Sequence, residues 1–398
     1  MYRSKKKSIY NYLPILFTII FYIQIYAGYQ SDSTIGNLLL REKMRLFQYC
    51  EIVIILGCII RKKYITINKI LLIMVCLIFT IIPIVNRYSG KIGGMLLFLI
   101  LVTFFLSDNK VQYKTFVYCK KGWLLCSIVG IICFAMYLFK IPIPYIEQEY
   151  YSRILENVGV FRYYINYKIC FLYKEGTIIR LCGICNEPGY FGTISALFLC
   201  ADNINLKKIE NICIFIAGCL TTSLAFFVLL ILYMILSSCK NKKIFLLILL
   251  GIFIYVFIIP NISTGNEAID YTLRRIQISN GKLIGDNRNR NDVEILLETT
   301  LNNKILWGFG GGYTSSNAEN FSTYKAYIID YGILGFIMMY GSLFICTVWI
   351  YCRKNFLSIT YILVFFASIY QRPNIFNLQY MLLLFGGLAC SSKKLNTK

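Results

Sequence analysis

The chain has 398 residues, of which 58% are hydrophobic and only 15% are charged. The apolar residues fall in long uninterrupted runs, which excludes a soluble domain and also an outer-membrane barrel, whose strands alternate. The formal net charge is +22. Because the basic residues are divided among many short loops, they indicate membrane topology, and binding to nucleic acid is not expected.

Eleven apolar segments predict membrane-spanning helices. They lie at 9–29, 46–60, 65–85, 92–106, 122–139, 188–202, 211–237, 244–260, 324–351, 356–371 and 376–391. Clusters of lysine between them mark the cytoplasmic side by the positive-inside rule. The lysine-rich Met1–Ile9 leads straight into the first segment without a small-residue cleavage site, which predicts a retained signal anchor.

One segment breaks the alternation of sides. Residues 203–210 and 238–243 are both basic and both predicted cytoplasmic, so segment 211–237 must enter and leave on the same side. That segment is too short for two ordinary spans of about 20 residues each. We predict two short helices folded as a hairpin around the polar Thr221–Ser223. The alternative is a single span, which would invert everything downstream, and the lysine-bearing C-terminus favours the hairpin.

The predicted fold class is therefore an all-α, polytopic integral membrane protein of about 12 transmembrane helices, with both termini in the cytoplasm. Residues 1–398 form a single membrane domain. Two large loops, at 140–187 and 261–323, face the extracytoplasmic side. The predicted location is the cytoplasmic (inner) membrane, with the lipid bilayer as a partner.

The stretch RLCGICNEPGYFG at 180–192 places Arg180 and Glu187 where the first large loop re-enters the membrane. A carboxylate at the mouth of a transmembrane helix is costly unless it is paired or functional. Pro188 predicts a helix start, because the first turn does not need the missing N–H. The sequence therefore predicts an acid held at a helix start with a cation close by. The alternative is an ordinary helix start with incidental charges.

Arginines are concentrated in the segments predicted to face outward, whereas lysines dominate the inward loops. The outward arginines are eleven of the fourteen: Arg41, Arg45, Arg87, Arg153, Arg162, Arg180, Arg274, Arg275, Arg288, Arg290 and Arg372. Topology does not require arginine on that side. The planar guanidinium binds phosphate through two parallel hydrogen bonds, which lysine does not do. We predict a site for a phosphate-bearing ligand on the outer face; the alternative for each arginine is a surface salt bridge.

The second large loop and the span after it hold further candidates. The loop contributes Arg274, Arg275, Arg288 and Arg290, and then the glycine-rich WGFGGGY at 307–313 with Gly308 and Gly310. Glycines of this kind allow backbone N–H groups to cradle phosphate, although a flexible linker is the other interpretation. Asp330 lies inside a span, where an acid is a functional candidate unless it is paired or reaches the interface.

Cysteine chemistry gives a weaker signal. Most of the 16 cysteines lie inside apolar runs, where thiols act as small hydrophobic groups. Cys182 and Cys185 form one CxxC on the predicted outer side, and a local disulfide between them stays open. The chain has no histidine, so metal catalysis is not expected and no cofactor is predicted.

Four motifs in succession resemble the family of O-antigen and capsular polysaccharide repeat-unit polymerases, the Wzy-type members of the O-antigen ligase/polymerase superfamily. They are RLCGICNEPGYFG at 180–192, LTTSLAFFVLL at 220–230, WGFGGGY at 307–313 and YKAYIIDYGILGFI at 324–337. Their order and topology agree over about residues 150–345. Ligases of this superfamily carry a histidine near where Phe321 and Ser322 stand, and this chain has none, which favours a polymerase.

The resemblance implies a GT-C-like glycosyltransferase that uses undecaprenyl-diphosphate-linked oligosaccharide at the outer membrane face. It implies no nucleotide or metal, and as partners a flippase and a chain-length regulator. Among the candidates, Arg180 would stabilise the departing diphosphate and Glu187, or failing it Asp330, would be the base. The remaining alternatives are an O-antigen ligase and a lipid-linked oligosaccharide flippase or transporter.

Overall fold

The computed structural model describes residues 12–30, 66–86, 104–150, 162–175, 178–238, 265, 270, 278–279, 282–283, 291–318, 323–351, 356–370, 372–373 and 377–393. This part of the chain is mostly helical (75%), as predicted. Three of its helices are long and apolar enough to cross a membrane, at Ile67–Val85, Asn109–Leu138 and Tyr324–Tyr351. Most of the predicted spans at 46–60, 92–106 and 244–260 lies outside the described residues, so twelve spans remain a prediction.

Most of the described helices lie within predicted apolar segments, whereas α7 and α8 lie within 261–323, which was predicted as a loop. They are α1 (Leu13–Gln30), α2 (Ile67–Val85), α3 (Asn109–Leu138), α4 (Pro188–Ala201), α5 (Ile209–Leu220), α6 (Leu224–Ser238), α7 (Asn291–Asn303), α8 (Tyr313–Asn317), α9 (Tyr324–Phe336), α10 (Ser342–Tyr351), α11 (Phe356–Ala367) and α12 (Leu378–Lys393). α4 is buried along almost its whole length. It therefore forms the centre around which the site is built.

The helix α3 begins earlier than predicted. The segment was expected at 122–139, but the helix starts at Asn109 and includes the lysine cluster that was predicted as a cytoplasmic loop. The reason is visible at Lys120, which is buried and forms an ion pair with Asp202 at 2.7 Å. A lysine that is paired in this way extends the helix instead of ending it.

The predicted hairpin is confirmed. α5 and α6 are separated by Thr221–Ser223, and Thr222 has a left-handed φ of 47°. Asn211 at the start of α5 and Tyr233 near the end of α6 both hydrogen-bond to the C-terminal end of α4. Since the turn between them packs against the other end of α4, the two helices run antiparallel on either side of it.

The described parts of the first large loop, within 140–187, contain a four-stranded antiparallel sheet, which the all-α prediction missed. The strands are β1 (Ile146–Tyr150), β2 (Arg162–Asn166), β3 (Phe171–Glu175) and β4 (Ile178–Gly183), paired in chain order. Ile165, Leu172 and Leu181 align across the strands and enter the main core. The strands are short, and in them apolar residues alternate with polar or charged ones, a pattern typical of a strand with one buried face. In the second large loop, β5 (Ile278–Ser279) and β6 (Lys282–Leu283) form a small hairpin.

The span Tyr324–Tyr351 is interrupted between its two halves. Gly332 has φ 71° and ψ 177°, so α9 breaks there before a π-helical turn at Ile337–Gly341 leads into α10. The glycine-rich loop supplies the hydrogen bonds that the break removes: Ile333 N–H donates to Ile305 O at 2.8 Å, and Phe309 N–H donates to Ile329 O at 2.9 Å. Broken helices are tolerated in spans when other groups satisfy the backbone in this way.

Glycine is required on both sides of this contact. A Cβ on Gly332 would lie 2.1 Å from Leu306 O, and a Cβ on Gly308 would lie 2.5 Å from Ile329 O. Both residues also have positive φ, a region that glycine reaches without a steric penalty. The two glycine motifs noted in the sequence are therefore the two halves of one backbone contact.

Candidate functional site

The candidate site lies at the N-terminal end of α4. Glu187 is the N-cap residue of this helix, with extended backbone, and Pro188 is its first residue. The Glu187 carboxylate accepts a hydrogen bond of 2.7 Å from Nη2 of Arg372. The predicted acid with a nearby cation at a helix start is present, and the cation that donates this hydrogen bond is Arg372.

Arg372 belongs to the connection between α11 and α12, and its side chain is only 14% exposed. Its guanidinium lies 5.4 Å from the centre of the Tyr190 ring, and its Nε is buried with no hydrogen-bond partner in the described part of the chain. Burial alone would lower the pKa of Arg372, but Glu187, with Tyr380 and Tyr190, raises it overall. The guanidinium is therefore firmly charged and still has an unused donor.

Arg180 is on β4, where it is buried, and its Nε donates to Thr221 O at 3.0 Å. This bond joins the sheet of the first loop to the turn of the α5–α6 hairpin. The N-terminal part of α4 touches the same turn: a Cβ on Gly192 would lie 2.8 Å from Cβ of Ser223. Sheet, hairpin turn and α4 therefore meet beside the ion pair.

Two further observations concern the groups around the Arg372–Glu187 pair. A Cβ on Gly189 would lie 3.2 Å from Nη2 of Arg372 and 3.8 Å from Oγ of Ser223, so the hairpin turn and the guanidinium flank the first turn of α4. In the same hairpin turn, the Thr222 hydroxyl is buried without a hydrogen-bond partner among the residues that the structure describes. A guanidinium at a helix N-terminus is a favourable partner for an oxyanion.

Asp330 is held by hydrogen bonds from neighbouring parts of the protein. Its carboxylate accepts hydrogen bonds from Gly312 N–H (3.0 Å), Thr314 N–H (2.8 Å) and Thr314 Oγ1 (2.6 Å). These groups belong to the glycine-rich loop and the start of α8. Asp330 thus fixes that loop to the broken span, which is a sufficient structural reason for an acid inside the membrane segment.

The predicted phosphate cradle at Gly308 and Gly310 is closed. Gly308 N–H donates to Lys304 O at 2.9 Å, and Gly310 N–H donates to Asp330 O at 2.8 Å. Both groups are used within the protein, so this loop does not present them to a ligand here. Arg274, Arg275, Arg288 and Arg290 lie outside the described residues, and their role in binding stays a prediction.

The two cysteines of the CxxC lie in one turn, where Cys185 N–H donates to Cys182 O at 3.0 Å, and both are free thiols. Cys182 packs with Tyr164 and Phe171 in a small cluster, whereas Cys185 is a free thiol in the main core. Burial raises the pKa of the Cys185 thiol well above its ordinary value. A local Cys182–Cys185 disulfide, which the sequence left open, is not present in this arrangement.

Sequence reasoning counted Arg372 among the outward arginines but did not place it in the site. A signal was available, because QRPN at 371–374 sets an arginine between two predicted spans, where a charge needs a partner. Its partner is 185 residues away in the chain, and no local pattern shows such a pairing.

Fold and site together define a mostly helical membrane protein with a partly buried arginine–glutamate pair at the start of a central helix. No model of a known family, no curated protein and no solved structure matches the chain. The family resemblance therefore rests on the four motifs alone, and the function is argued from the site.

Proposed function

We propose that the protein is a glycosyltransferase that polymerises undecaprenyl-diphosphate-linked oligosaccharide repeat units into O-antigen or capsular polysaccharide. The observation that carries this proposal is the Arg372–Glu187 pair at the start of α4, beside the hairpin turn to which Arg180 of β4 is hydrogen-bonded. Two guanidinium groups and one carboxylate match a substrate with a diphosphate beside a hydroxyl that must lose its proton.

The orientation follows from charge. Lys207 and Lys208 lie just beyond the C-terminal end of α4, and the positive-inside rule assigns such residues to the cytoplasm. The Glu187 end of α4 then faces the outer side of the inner membrane. The lipid-linked substrates would be presented at that side after a flippase has exported them.

The chemistry is a displacement at the anomeric carbon of the growing chain. A hydroxyl oxygen of the incoming repeat unit forms the new glycosidic bond, the bond from that carbon to the lipid diphosphate breaks, and the hydroxyl proton passes to Glu187. The diphosphate leaves with the bonding electron pair. Arg372, through its fork and its unused Nε, and Arg180 would stabilise the charge that develops on it.

Substitution tests the proposal directly. We expect Arg372→Ala, Arg180→Ala and Glu187→Ala each to abolish long-chain polymer while single repeat units still reach the cell surface. Arg372→Lys should also fail, because an ammonium group lacks the fork. Electrophoresis of surface polysaccharide, with the variant's level in the membrane measured in parallel, provides the readout.

Lys325→Ala is the matched control. Lys325, in the first turn of α9, forms an ion pair with Glu294 of α7, elsewhere in the protein. It should retain normal chain length. Full-length polymer from well-expressed Arg372→Ala and Glu187→Ala variants would remove this site from the reaction. In a deletion strain, exported single repeats would support a polymerase, and cytoplasm-facing lipid-linked repeats would support a transporter instead.

A further inference from the structure

Three consecutive apolar residues lie exposed between α7 and the glycines of the WGFGGGY loop. Ile305 is 45% exposed, Leu306 58% and Trp307 55%. We call these three residues the apolar patch. Apolar side chains grouped on a surface indicate a contact with a partner protein or with a membrane. The backbone contacts of the patch distinguish between the two.

The backbone of the apolar patch is fixed to the broken span Tyr324–Tyr351. Ile333 N–H donates to Ile305 O at 2.8 Å, and Leu334 N–H donates to Leu306 O at 3.2 Å. Both donors lie directly after the break in α9. The patch therefore lies beside the span at the level of this break.

The level of the break follows from the length of the span. Its 28 residues exceed the number, about 20, that crosses the hydrocarbon core. Arg353 and Lys354 closely follow Tyr351 and mark the cytoplasmic end. A count of about 20 residues back from Tyr351 reaches Gly332. The break, and the apolar patch with it, therefore lies where the span leaves the hydrocarbon core on the outer side.

A second span gives the same level. α2 is a candidate span of 19 residues, and Asn86 directly follows it at its predicted outer end. The Asn86 side chain donates to Trp307 O, and Asn86 O accepts from Gly311 N–H at 2.8 Å. α2 also packs against α9, since a Cβ on Gly335 would lie 3.7 Å from Cγ2 of Ile82. Two spans therefore hold the apolar patch at the outer boundary of the hydrocarbon core.

The exposed apolar surface of both spans continues to this level. Near the outer end of α2 and just beyond the break in α9, it consists of Ile81, Ile84, Val85, Leu334 and Ile337. Exposed apolar side chains of a span face lipid. An apolar patch that continues this surface at the membrane boundary fits the same partner.

We propose that the apolar patch is seated in the outer leaflet of the bilayer, with Trp307 at the level of the lipid headgroups, where tryptophan is enriched. The glycine-rich loop is then part of the membrane interface, although the sequence predicted an outward loop there. The inference does not rest on the proposed reaction. It requires only that the two spans cross the membrane with the patch at their outer ends.

The three tryptophans of the chain allow a direct test. Trp123 is fully buried, whereas Trp349, within the span, is 55% exposed, as Trp307 is. The full-length protein is reconstituted in phosphatidylcholine vesicles whose acyl chains carry bromine near the headgroup or near the bilayer centre, because bromine quenches tryptophans that it contacts. Trp349→Phe reports Trp307, and the double variant Trp307→Phe, Trp349→Phe gives the background of Trp123. Trp307→Phe, which reports Trp349, is the positive control for a tryptophan that faces lipid.

We expect Trp349→Phe to lose emission in brominated vesicles, and to lose more with bromine near the headgroup than near the centre. Iodide in the water should quench it little. The double variant should lose little emission with any of these quenchers, and an unchanged emission maximum of its Trp123 would show that the variants fold.

Two outcomes would overturn the proposal outright. Quenching of Trp307 by iodide but not by brominated lipid would place the apolar patch in water. Protection from both quenchers would mean that protein, such as a second copy of the chain, covers it. Stronger quenching from the bilayer centre would contradict the level counted along the span. Polymer formation does not enter this measurement, so failure of the proposed function would leave its result unchanged.

Discussion

The two ends of α4 both carry ion pairs, and they differ in the polar atoms around the pair. At the C-terminal end, Asp202 accepts hydrogen bonds from Lys120 at 2.7 Å, from Lys208 at 3.0 Å and from Asn211 at 3.0 Å. At the N-terminal end, Nη2 of Arg372 donates to Glu187 at 2.7 Å, and Nε of Arg372 is buried without a hydrogen-bond partner among the described residues.

Exposure differs in the same direction. The Asp202 side chain is 3% exposed, whereas that of Glu187 is 29% exposed. The three donors at Asp202 come from α3, α5 and the residue before α5, so this cluster clamps three helices together. The C-terminal end of α4 is therefore a closed end, and the N-terminal end is a more open one, where the Glu187 carboxylate is partly exposed. We expect substitutions at the closed end to act on stability and, under the proposed function, substitutions at the open end to act on the reaction.

The largest expected effect is at the closed end. Asp202→Ala leaves Lys120 buried without its close carboxylate partner, and breaking a buried pair costs about 3–5 kcal/mol. We expect this variant to be nearly absent from the membrane, with a lower unfolding temperature in detergent. Asp202→Asn, which keeps one acceptor oxygen, should be affected less.

Glu187→Ala is the matched substitution at the open end, where the carboxylate that is removed is 29% exposed but the Arg372 side chain left behind is only 14% exposed. Leaving that guanidinium without its carboxylate lowers stability, and we expect the loss to be smaller than in Asp202→Ala, so that protein remains in the membrane while polymer is lost. If Asp202→Ala and Glu187→Ala lower the protein level equally, the distinction between the two ends fails.

The Asp330 carboxylate, like that of Asp202, accepts hydrogen bonds from groups within the protein. We expect substitutions at Asp330 to lower stability by an intermediate amount. Asp330→Asn exchanges a carboxylate oxygen for an amide nitrogen that faces N–H donors, and hydrogen bonds to a charged group are worth about 1.5–3 kcal/mol. Thr314→Val, which removes one of the donors, should lower the unfolding temperature in the same direction but by less. In both variants the protein that remains should give normal chain length.

A contrary result at Asp330 would be informative. If Asp330→Asn is as stable as the wild type and makes no polymer, then Asp330 takes part in the reaction, as the sequence had allowed. Stability and chain length measured on the same membranes separate these two outcomes.

Much of α4 and the hairpin was predictable because the causes are local. Pro188 marks a helix start by its missing N–H, and the apolar run that follows gave 188–202 where the helix is Pro188–Ala201. The turn at Thr221–Ser223 followed from the lysines on both sides of one short segment. Charge and hydropathy patterns are read from residues that are neighbours in the sequence, so they predict structural features that neighbouring residues determine.

The rest depends on contacts that no local pattern carries. Glu187 was recognised as an acid that needs a partner, but Arg372 comes from the far end of the chain. The glycine loop and the broken span were read as separate weak motifs, although Gly308 and Gly332 are required by one shared backbone contact. The sheet was missed because its strands are short and alternate between charged positions, a pattern that hydropathy averages remove.

The smallest expected effect is at Gly189, and it tests whether the geometry of the open end matters. A Cβ there would lie 3.2 Å from Nη2 of Arg372, so the guanidinium must move by a few tenths of an ångström. Alanine in place of glycine also stabilises a helix by about 0.5–1 kcal/mol. We therefore expect Gly189→Ala to be at least as stable as the wild type and yet to polymerise on the order of two- to fivefold more slowly.

Gly341→Ala is the control, because its Cβ would make only an ordinary contact of 3.6 Å with Ile337. It should leave both the rate and the chain length unchanged. If Gly189→Ala is more stable than the wild type but polymerises more slowly, then the reaction depends on the position of the Arg372 guanidinium. If the Arg372–Glu187 pair were only structural, a more stable helix would not slow the reaction. Equal rates in Gly189→Ala and wild type would mean that the reaction does not depend on where the guanidinium lies. That result would contradict a catalytic role for the open end of α4.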